Sequence, residues 1–267
     1  MTIQPLQYED IPHLEALQPP GWGDIRLNFE YHAQSPTCDP VKAVVDNTIV
    51  GVGTTIRHLD TAWLAMIIVH PSYRSQGVGK AITKSLIEGL DTRIFKTIQL
   101  DATDLGYPVY LKNGFEVQTE YMHFRCENFN RDQVALSPAI VSFHDQYRNE
   151  MLEMDRRISG ESRAAVINLH ITTSFLYVEN NKLQGFYIPA LYDGPIIAEN
   201  ERAGRELMKL RLKTKRIASV PVGNKAALDF LRNHPFEYVR TSHRMIRGEK
   251  RNWRPEGFFN RISGALG

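Results

Sequence analysis

The 267-residue sequence is poor in cysteine and contains no long apolar segment. Its two cysteines are too few for a disulfide framework or a zinc cluster, and no stretch approaches the roughly 20 apolar residues of a transmembrane helix. The first residues lack the basic head and apolar run of a signal peptide. Charge of one sign is not in excess either, because 32 basic side chains are balanced by 30 acidic ones. These absences argue against a secreted, membrane-associated or nucleic-acid-binding protein, so a soluble cytoplasmic protein is expected.

The first half of the sequence has mixed α/β character. Apolar spacing and turn residues predict these elements: short helices at 10–18 and 25–33, a β-hairpin over 42–56 that turns at Asp46-Asn47, a buried central strand at 63–69, a helix at 80–90, a strand at 97–101 and a helix at 105–113. Such a mixture of short strands and amphipathic helices is typical of a sheet covered by helices.

The second half resembles a degraded copy of the first. Three pairs of segments match in the same order: 44–51 with 178–185, 96–101 with 215–220, and 109–116 with 230–237. The order of strands and helices recurs with them, which indicates an internal duplication. A polar stretch at 127–142 separates the copies, so we expect one domain at residues 1–130 and another at residues 143–267. The basic tail beyond Arg247 is expected to be a surface appendage.

The strongest local signal is a glycine-containing loop between the central strand and the next helix. It reads IIVHPSYRSQGVGKAI, with Arg74, Gly77 and Gly79 just before or within the helix start. Glycines allow a sharp turn and a close approach to a ligand, and the free N–H groups of a helix start favour an anion. Arg74 and Lys80 add positive charge. The segment therefore predicts a binding site for a diphosphate.

Two common phosphate-binding loops do not fit this segment. A Walker loop requires Ser or Thr where Ala81 stands, and a dinucleotide fingerprint requires a third glycine where Ile82 stands. The segment instead resembles the acetyl-CoA loop of the GNAT superfamily of N-acetyltransferases, in which Arg/Gln-x-x-Gly-x-Gly/Ala follows a strand ending in Val-x-Pro. Residues 69–71 and 74–79 match that pattern, and residues 110–115 match the family's second marker, aromatic-x-x-x-Gly-Phe. The resemblance covers residues 1–127.

The resemblance implies a GNAT fold, with a mixed central sheet flanked by helices and a second, degenerate GNAT-like half that lacks the CoA loop. It implies acetyl-CoA as co-substrate and no metal, and the scattered histidines offer no metal-ligand pair. The residues implied to hold acetyl-CoA are the backbone of Ile67, Ile68 and Val69, the loop residues Arg74, Ser75, Gln76, Gly77, Val78, Gly79 and Lys80, and Thr103 and Tyr110. Thr103 departs from the family, because many relatives have asparagine there to bind the pantetheine arm.

The reaction implied by the resemblance is direct attack of a primary amine on the thioester, without a covalent enzyme intermediate. Tyr110 would be the general acid for the departing thiolate, since a phenol with a pKa of about 10 is protonated at neutral pH. Packing against its helix is the alternative role of Tyr110. Asp101 and Glu30 are both candidates for accepting the proton of the amine through water, although such a residue is more often a helix cap or a solvated carboxylate.

The acceptor is expected to be a small-molecule amine, and the protein a monomer or homodimer. Trp22, Asp24 and Tyr31 lie where relatives line the acceptor pocket, but helix packing would also explain the two aromatic residues. His70, beside the cofactor loop, is expected to be a turn residue. A non-catalytic acyl-CoA-binding sensor or regulatory module is the alternative function.

The second half is expected to bind no CoA. Glu199 and Glu201 lie where a diphosphate would reach the helix start, and their charge would repel it. The position that matches Tyr110 is Leu231, which cannot donate a proton.

Overall fold

A computed structural model describes residues 1–127 and 135–267, and these residues form two compact units. The first unit comprises residues 1–116, 245–249 and 266, and the second comprises 117–244, 250–265 and 267. The predicted domain boundary falls partly on residues 128–134, which lie outside the described residues. Domain limits of 1–130 and 143–267 therefore stay a prediction.

The first unit is built on a mixed sheet. Its elements in chain order are β1 (Thr2–Pro5), a 3₁₀ helix (Tyr8–Leu17), α1 (Ile25–Gln34), β2 (Cys38–Val45), β3 (Thr48–Arg57), β4 (Thr61–Val69), α2 (Val78–Glu88), β5 (Thr97–Ala102) and α3 (Tyr107–Leu111). Strands β1 to β4 pair antiparallel in chain order, and β5 pairs parallel with β4. The first predicted helix is 3₁₀ rather than α-helical, and it contains Pro12, which has no backbone N–H to donate.

Two apolar clusters fix helices to opposite faces of this sheet. On one face α2 buries Val78, Ile82 and Leu86, which recur every four residues. On the other face α1 buries Phe29 in a cluster that includes Ile68 of β4. The sheet is therefore covered on both sides, as a central strand without polar alternation requires.

The second unit repeats the order of elements. They are β6 (Glu116–Arg125), β7 (Ile140–Ser142), α4 (Arg148–Ser159), α5 (Ala164–Asn168), β8 (Phe175–Glu179), β9 (Lys182–Tyr187), β10 (Ile196–Ala198), α6 (Glu201–Leu212), β11 (Ile217–Pro221), α7 (Lys225–Arg232), β12 (Glu237–Gly248) and β13 (Phe258–Asn260). Strands β13, β10, β9, β8 and β7 form one sheet in that order, and β11 pairs antiparallel with β6. Within the parts of the chain that the structure describes, no helix has the length and apolarity needed to cross a membrane.

Local details of the two units confirm the internal duplication. The β2–β3 hairpin turns at Asp46-Asn47, with φ values of 45° and 61°, and the β8–β9 hairpin turns at Asn180-Asn181, with 52° and 58°. Two successive positive φ values are the signature of a tight hairpin turn. The aligned glycines that follow, Gly51 and Gly185, lie under equivalent helices. A Cβ on Gly51 would come within 2.9 Å of a side chain of α2, and one on Gly185 within 3.1 Å of a side chain of α6.

Residues from the end of β12 complete the first unit. Met245 is fully buried in its core. The backbone N–H of Glu249 donates to the carbonyl of Lys96 at 2.9 Å, and the Thr97 hydroxyl donates to the Glu249 carbonyl at 2.7 Å. Strand β6 follows α3 in the sequence but belongs to the second unit from residue 117 onward. The first half thus contributes most of β6 to the second unit, and the second half contributes the end of β12 to the first.

The residues beyond Arg247 do not form the surface appendage predicted from the sequence. Phe258 and Phe259 are 0% and 1% exposed, and β13 pairs antiparallel with β10 in the second unit. The burial of this aromatic pair outweighs the polar character of its basic neighbours, since a buried phenylalanine side chain contributes about 1.5–3 kcal/mol.

Candidate active site

A β-bulge interrupts β4 in the first unit. Val52 of β3 is opposite Ile68, but Thr54 is opposite Ala65, so two residues of β4 face one residue of β3. One of the two, Met66, has a φ of 53°. A left-handed conformation costs a non-glycine residue about 1–3 kcal/mol, and bulges of this kind bend the strand that carries them. The last part of β4 is therefore redirected relative to its first part.

Strands β4 and β5 pair only over their first residues. The parallel pairing ends at Trp63 and Gln99, although β4 continues to Val69 and β5 to Ala102. Because the bulge bends β4 just after the pairing ends, the two strands diverge. From Leu64 and Leu100 onward the two strands are not paired with each other, and we infer that a cleft opens between their carboxyl ends.

The backbone of β4 faces this cleft at Val69. On the β3 side, His70 donates its N–H to the carbonyl of Val50 at 2.9 Å. Backbone groups alternate in direction along a strand, so those of Val69 point to the other side, where β5 has stopped pairing. By the same alternation Ile68 faces β3, and Ile67 belongs to the bulge.

The loop between β4 and α2 is braced by its own side chains. The Nε of Arg74 donates to the last carbonyl of β4 at 3.2 Å, and the Gln76 amide donates to the Ser72 carbonyl at 2.9 Å. The His70 ring accepts from the Ser72 N–H at 3.3 Å, so this histidine caps the turn. Ser75 has a positive φ of 61°. The side chains of Arg74 and Gln76 thus order the loop. The Arg74 N–H donates to the Pro71 carbonyl at 3.3 Å, so the amides that can meet a ligand begin at Ser75.

The start of α2 is an open helix terminus. Gly77 is the N-cap residue, with a φ of 85°, and the first turn carries no acidic side chain. Among the described residues, a Cβ on Gly77 would meet no atom within 4 Å, and one on Gly79 would meet only a methyl group at 3.6 Å. Lys80 is exposed in the same turn. The unbonded N–H groups of this turn, with the positive end of the helix dipole, can accept a diphosphate.

Tyr110 lies in α3 and is buried. Its ring meets that of Phe115 edge-on at 6.1 Å, and a Cβ on Gly106 would lie 2.7 Å from it. Burial raises the pKa of the Tyr110 hydroxyl above its usual range, and the negative charge of Asp101 adds to the rise. The hydroxyl therefore keeps its proton throughout the neutral range and can donate a hydrogen bond to an anion.

The structure places Asp101, rather than Glu30, within electrostatic reach of Tyr110. Asp101 is half-buried near the end of β5. Glu30 is half-buried in α1, where its charge acts on Arg26. Thr103 is exposed after β5, and its carbonyl accepts two N–H groups that begin α3.

The acceptor-pocket candidates before and within α1 are one structural residue, Asp24, and two exposed aromatic residues. Asp24 is the N-cap of α1: it accepts the N–H of Arg26 at 3.0 Å and pairs with its guanidinium at 2.8 Å. This hydrogen bonding by Arg26 lowers the pKa of Asp24, so the carboxylate is already engaged. Trp22 and Tyr31 are 48% and 42% exposed, so packing accounts for only part of each ring.

The corresponding helix start in the second unit is closed. Only two residues separate β10 from α6, whereas eight separate β4 from α2. Asn200 caps α6 by accepting the N–H of Ala203 at 3.0 Å, and Glu199 pairs with two arginine side chains. Capping and ion pairing, rather than free negative charge, therefore close this terminus. Leu231, the counterpart of Tyr110, is a buried core residue.

Two determinants of the site leave no mark in the sequence. The bulge at Met66 and the early end of the β4–β5 pairing depend on the register between strands, which an apolar run does not encode.

Across residues 1–127 and 135–267, no group of three or more His, Cys, Asp or Glu side chains is placed to hold a metal ion.

The chain matches family models in both halves. The two models are each described as an acetyltransferase (GNAT) domain, and they match residues 30–125 and 151–259. The chain is also 25% identical over 154 residues to YitH of Bacillus subtilis (strain 168), described as an uncharacterized N-acetyltransferase. That match covers 54% of this chain and 54% of YitH, so the chain spans about half the length of this curated relative.

Solved structures share the architecture. A Pyrococcus horikoshii protein, provisionally described as an acetyltransferase, has a TM-score of 0.82 at 22% identity, over 100% of this chain and 95% of that one. A tandem GNAT protein from the clavulanic acid biosynthesis pathway has a TM-score of 0.61 at 13% identity, over 92% and 98%. At these identities the likeness shows the fold. The two family matches and the duplicated architecture show that this chain belongs to the GNAT superfamily of acetyltransferases and contains two GNAT domains.

Proposed function

We propose that the first unit transfers the acetyl group of acetyl-CoA to a primary amine. The observation that carries this proposal is the bulge in β4 together with the end of the β4–β5 pairing, from which we infer the cleft between their carboxyl ends. Tyr110 belongs to the same apolar cluster as Val78 at the open start of α2. An anion site, strand backbone and a protonated hydroxyl therefore surround one region of the unit.

The residues of this region suit the parts of acetyl-CoA. The amides of residues 75–80 would take the diphosphate, with the exposed Lys80 adding positive charge; the predicted role of the Arg74 amide is not kept, because it donates to the Pro71 carbonyl. The backbone N–H of Val69, whose carbonyl already accepts the Arg74 Nε, would pair with the amide-containing arm, as an added strand pairs with an edge. Ile67 and Ile68 would shape that edge through the bulge, and the exposed Thr103 would border it from the β5 side.

Proton transfer is the chemistry that the protein itself would supply. Acetyl-CoA, when bound, supplies a thioester whose carbonyl carbon accepts the amine nitrogen while the carbon–sulfur bond breaks and leaves a thiolate. Tyr110 would donate its hydroxyl proton to that sulfur. Asp101 would accept the proton that the amine loses and return it to Tyr110 through water, and Glu30 is the second candidate for this role.

The raised pKa of Tyr110 has two opposite effects on this step. It keeps the hydroxyl protonated, but it also makes Tyr110 a weaker acid than a free phenol. Hydrogen-bond donation to the developing thiolate therefore comes first, and the hydroxyl proton moves to sulfur as Asp101 returns the proton of the amine to Tyr110.

The test compares two substitutions at Gly77. Asn and Asp both tolerate positive φ, so Gly77→Asn preserves the turn, and Gly77→Asp adds a negative charge where a diphosphate would lie. We expect Gly77→Asp to weaken acetyl-CoA binding at least about tenfold, since charges a few ångströms apart near a surface interact by several kcal/mol. Gly77→Asn should bind nearly as well as the native chain. Calorimetry measures both, and equal affinity of the two variants would contradict the proposal.

Turnover is measured as thiol release from acetyl-CoA with a panel of primary amines. Release that depends on the amine and is lost in Gly77→Asp is the expected result. Binding of acetyl-CoA without amine-dependent release across the panel would favour the non-catalytic sensor.

A further inference from the structure

The second unit has a counterpart of the β4–β5 cleft, and a segment of the same chain lies in it. We name residues 254–261 the strap. Strands β10 and β11 correspond to β4 and β5 in the order of elements. The strap places β13 beside β10, with Ile196 opposite Asn260 and Ile197 opposite Phe258. β11 pairs instead with β6.

The strap also bonds to β11. The N–H of Arg261 donates to the Ser219 carbonyl at 3.1 Å, and the N–H of Ser219 donates to the side-chain oxygen of Asn260 at 2.9 Å. The Asn260 amide donates to the Gly194 carbonyl, also at 2.9 Å. Ser219 aligns with Leu100, the first residue of β5 beyond its pairing with β4. The strap therefore binds backbone at the point where the cleft of the first unit begins.

An asparagine at the start of α7 holds the strap from the adjacent loop. The Asn224 amide donates to the carbonyls of Glu256 and Phe258, each at 2.9 Å. The Asn224 carbonyl accepts the N–H four residues later, as the Thr103 carbonyl does in the first unit. The alignment of the two helices pairs these positions. The strap is thus bound at the counterpart of a predicted cofactor position.

Close packing joins the strap to the start of α6. A Cβ on Gly204 would lie 2.2 Å from the ring of Phe259, so only glycine lets the ring approach the helix. A Cβ on Gly257 would lie 3.2 Å from the Ala198 carbonyl at the end of β10. Arg254, at the beginning of the strap, pairs with Glu199 beside the same helix at 3.4 Å. The strap follows β10 from the helix start into the core.

We propose that the strap is the resident occupant of the second unit's cofactor-type cleft. This half then binds a segment of its own chain where the first half binds acetyl-CoA, an inference that rests on the proposed function of the first unit. The arm of CoA carries amide groups, and a peptide strand presents the same donors and acceptors to diverging strands. A tethered strand acts at an effective concentration in the millimolar range, so free CoA does not displace it. Because the strap keeps CoA out of the second unit, we expect one CoA site per chain.

The experiment uses the intact native chain, Gly77→Asp and Gly77→Asn. Each is titrated with CoA up to millimolar concentration by calorimetry, and hydrogen exchange is followed by mass spectrometry with and without CoA. We expect one site in the native chain and in Gly77→Asn, and at least a tenfold loss of affinity in Gly77→Asp with no second site. In all three, the strap should be protected within about tenfold of β10, and CoA should leave its exchange unchanged.

Three results separate the inference from the function on which it rests. A second CoA per chain, or strap exchange that accelerates when CoA is added, would show that CoA enters this cleft and would overturn the inference. Strap amides that exchange as fast as an exposed loop in the CoA-free native chain would overturn it as well. A native chain that binds no CoA, with a protected strap, would instead refute the proposed function of the first unit and remove the cofactor interpretation of the cleft.

Discussion

The burial of Tyr110 determines what its hydroxyl can do. A solvated phenol would lose its proton near pH 10, whereas burial and the nearby charge of Asp101 raise the pKa of Tyr110 above that value. The close contact with Gly106 and the edge-on ring of Phe115 hold the side chain in one orientation. A fixed donor with its proton in place is the form that stabilises a leaving thiolate.

Substituting Tyr110 distinguishes a catalytic role of its hydroxyl from a packing role of its ring. Tyr110→Phe keeps the ring and its contact with Phe115, and removes only the hydroxyl. We expect kcat to fall about 10²–10⁴-fold, the usual contribution of general acid catalysis, while affinity for acetyl-CoA stays within about threefold. Steady-state kinetics and calorimetry measure the two quantities. As a control, Tyr107→Phe removes a hydroxyl from the same helix and should leave kcat within about threefold. A loss below threefold in Tyr110→Phe would assign Tyr110 to packing alone.

At the scale of elements, β4 combines pairing with a bend. Its first residues pair with β3 and β5, and the bulge at Met66 comes directly after the β5 pairing ends. Bulges store backbone strain that surrounding packing must hold in place. Here Met66 packs against the cluster that joins α1 to the sheet, so the helix stabilises the bend that the cleft requires.

Because Met66 has a positive φ, we expect glycine there to be more stable than alanine, the reverse of the usual order in a strand. At an ordinary strand position glycine is less stable than alanine by about 0.5–1 kcal/mol, but at positive φ glycine has no steric penalty. We expect Met66→Gly to be more stable than Met66→Ala by about 1 kcal/mol, and Val41→Gly in β2 to be less stable than Val41→Ala. Chemical denaturation of the four variants gives the free energies of unfolding. If glycine were less stable than alanine at both positions, the left-handed conformation of Met66 would be disproved.

At the scale of the whole molecule, neither sequence half contains all of its own compact unit. Residues 245–249 belong to the first unit, and residues from 117 onward belong to the second. Met245 fills the core of the first unit. The Glu249 carbonyl accepts the Thr97 hydroxyl of β5, and the Glu249 N–H donates to the carbonyl of Lys96, the residue before β5. Removing the second half of the sequence would therefore also remove residues 245–249, which fold as part of the first unit.

A shortened chain tests this exchange. Residues 1–140 should lose the burial of Met245, which alone corresponds to about 2–5 kcal/mol, together with the backbone bonds of Glu249. We expect this fragment to unfold at lower temperature or without a cooperative transition. A matched control joins residues 243–250 to it through a flexible linker and should recover a cooperative transition. Thermal unfolding followed by circular dichroism decides, and a fragment 1–140 as stable as the control would refute the exchange.

Much of the candidate site could be predicted because its signals are local. Gly77 and Gly79 lie at a helix start, and Tyr110 lies a fixed distance before Gly114, so a short motif identifies each of them. No local pattern can choose between Asp101 and Glu30 as the proton acceptor, because the choice depends on which carboxylate the fold brings toward Tyr110, and the charge of Asp101 is the one that acts on it. The role of Asp24, in contrast, is local. Its carboxylate accepts the N–H of Arg26, two residues later, which caps α1, and it also pairs with the Arg26 guanidinium.

The sequence by itself determined most elements of the first half, the GNAT motifs and the duplication, because turns, helix periodicity and loop motifs depend on residues within a few positions of one another. The positive φ values at Asp46-Asn47 and Asn180-Asn181 are local in this sense. Only the tertiary structure decided the bulge at Met66, the exchange of residues 245–249 and the position of the strap. Each of these joins segments far apart in the chain, and strand register and core packing select such pairings through contacts that no local pattern records.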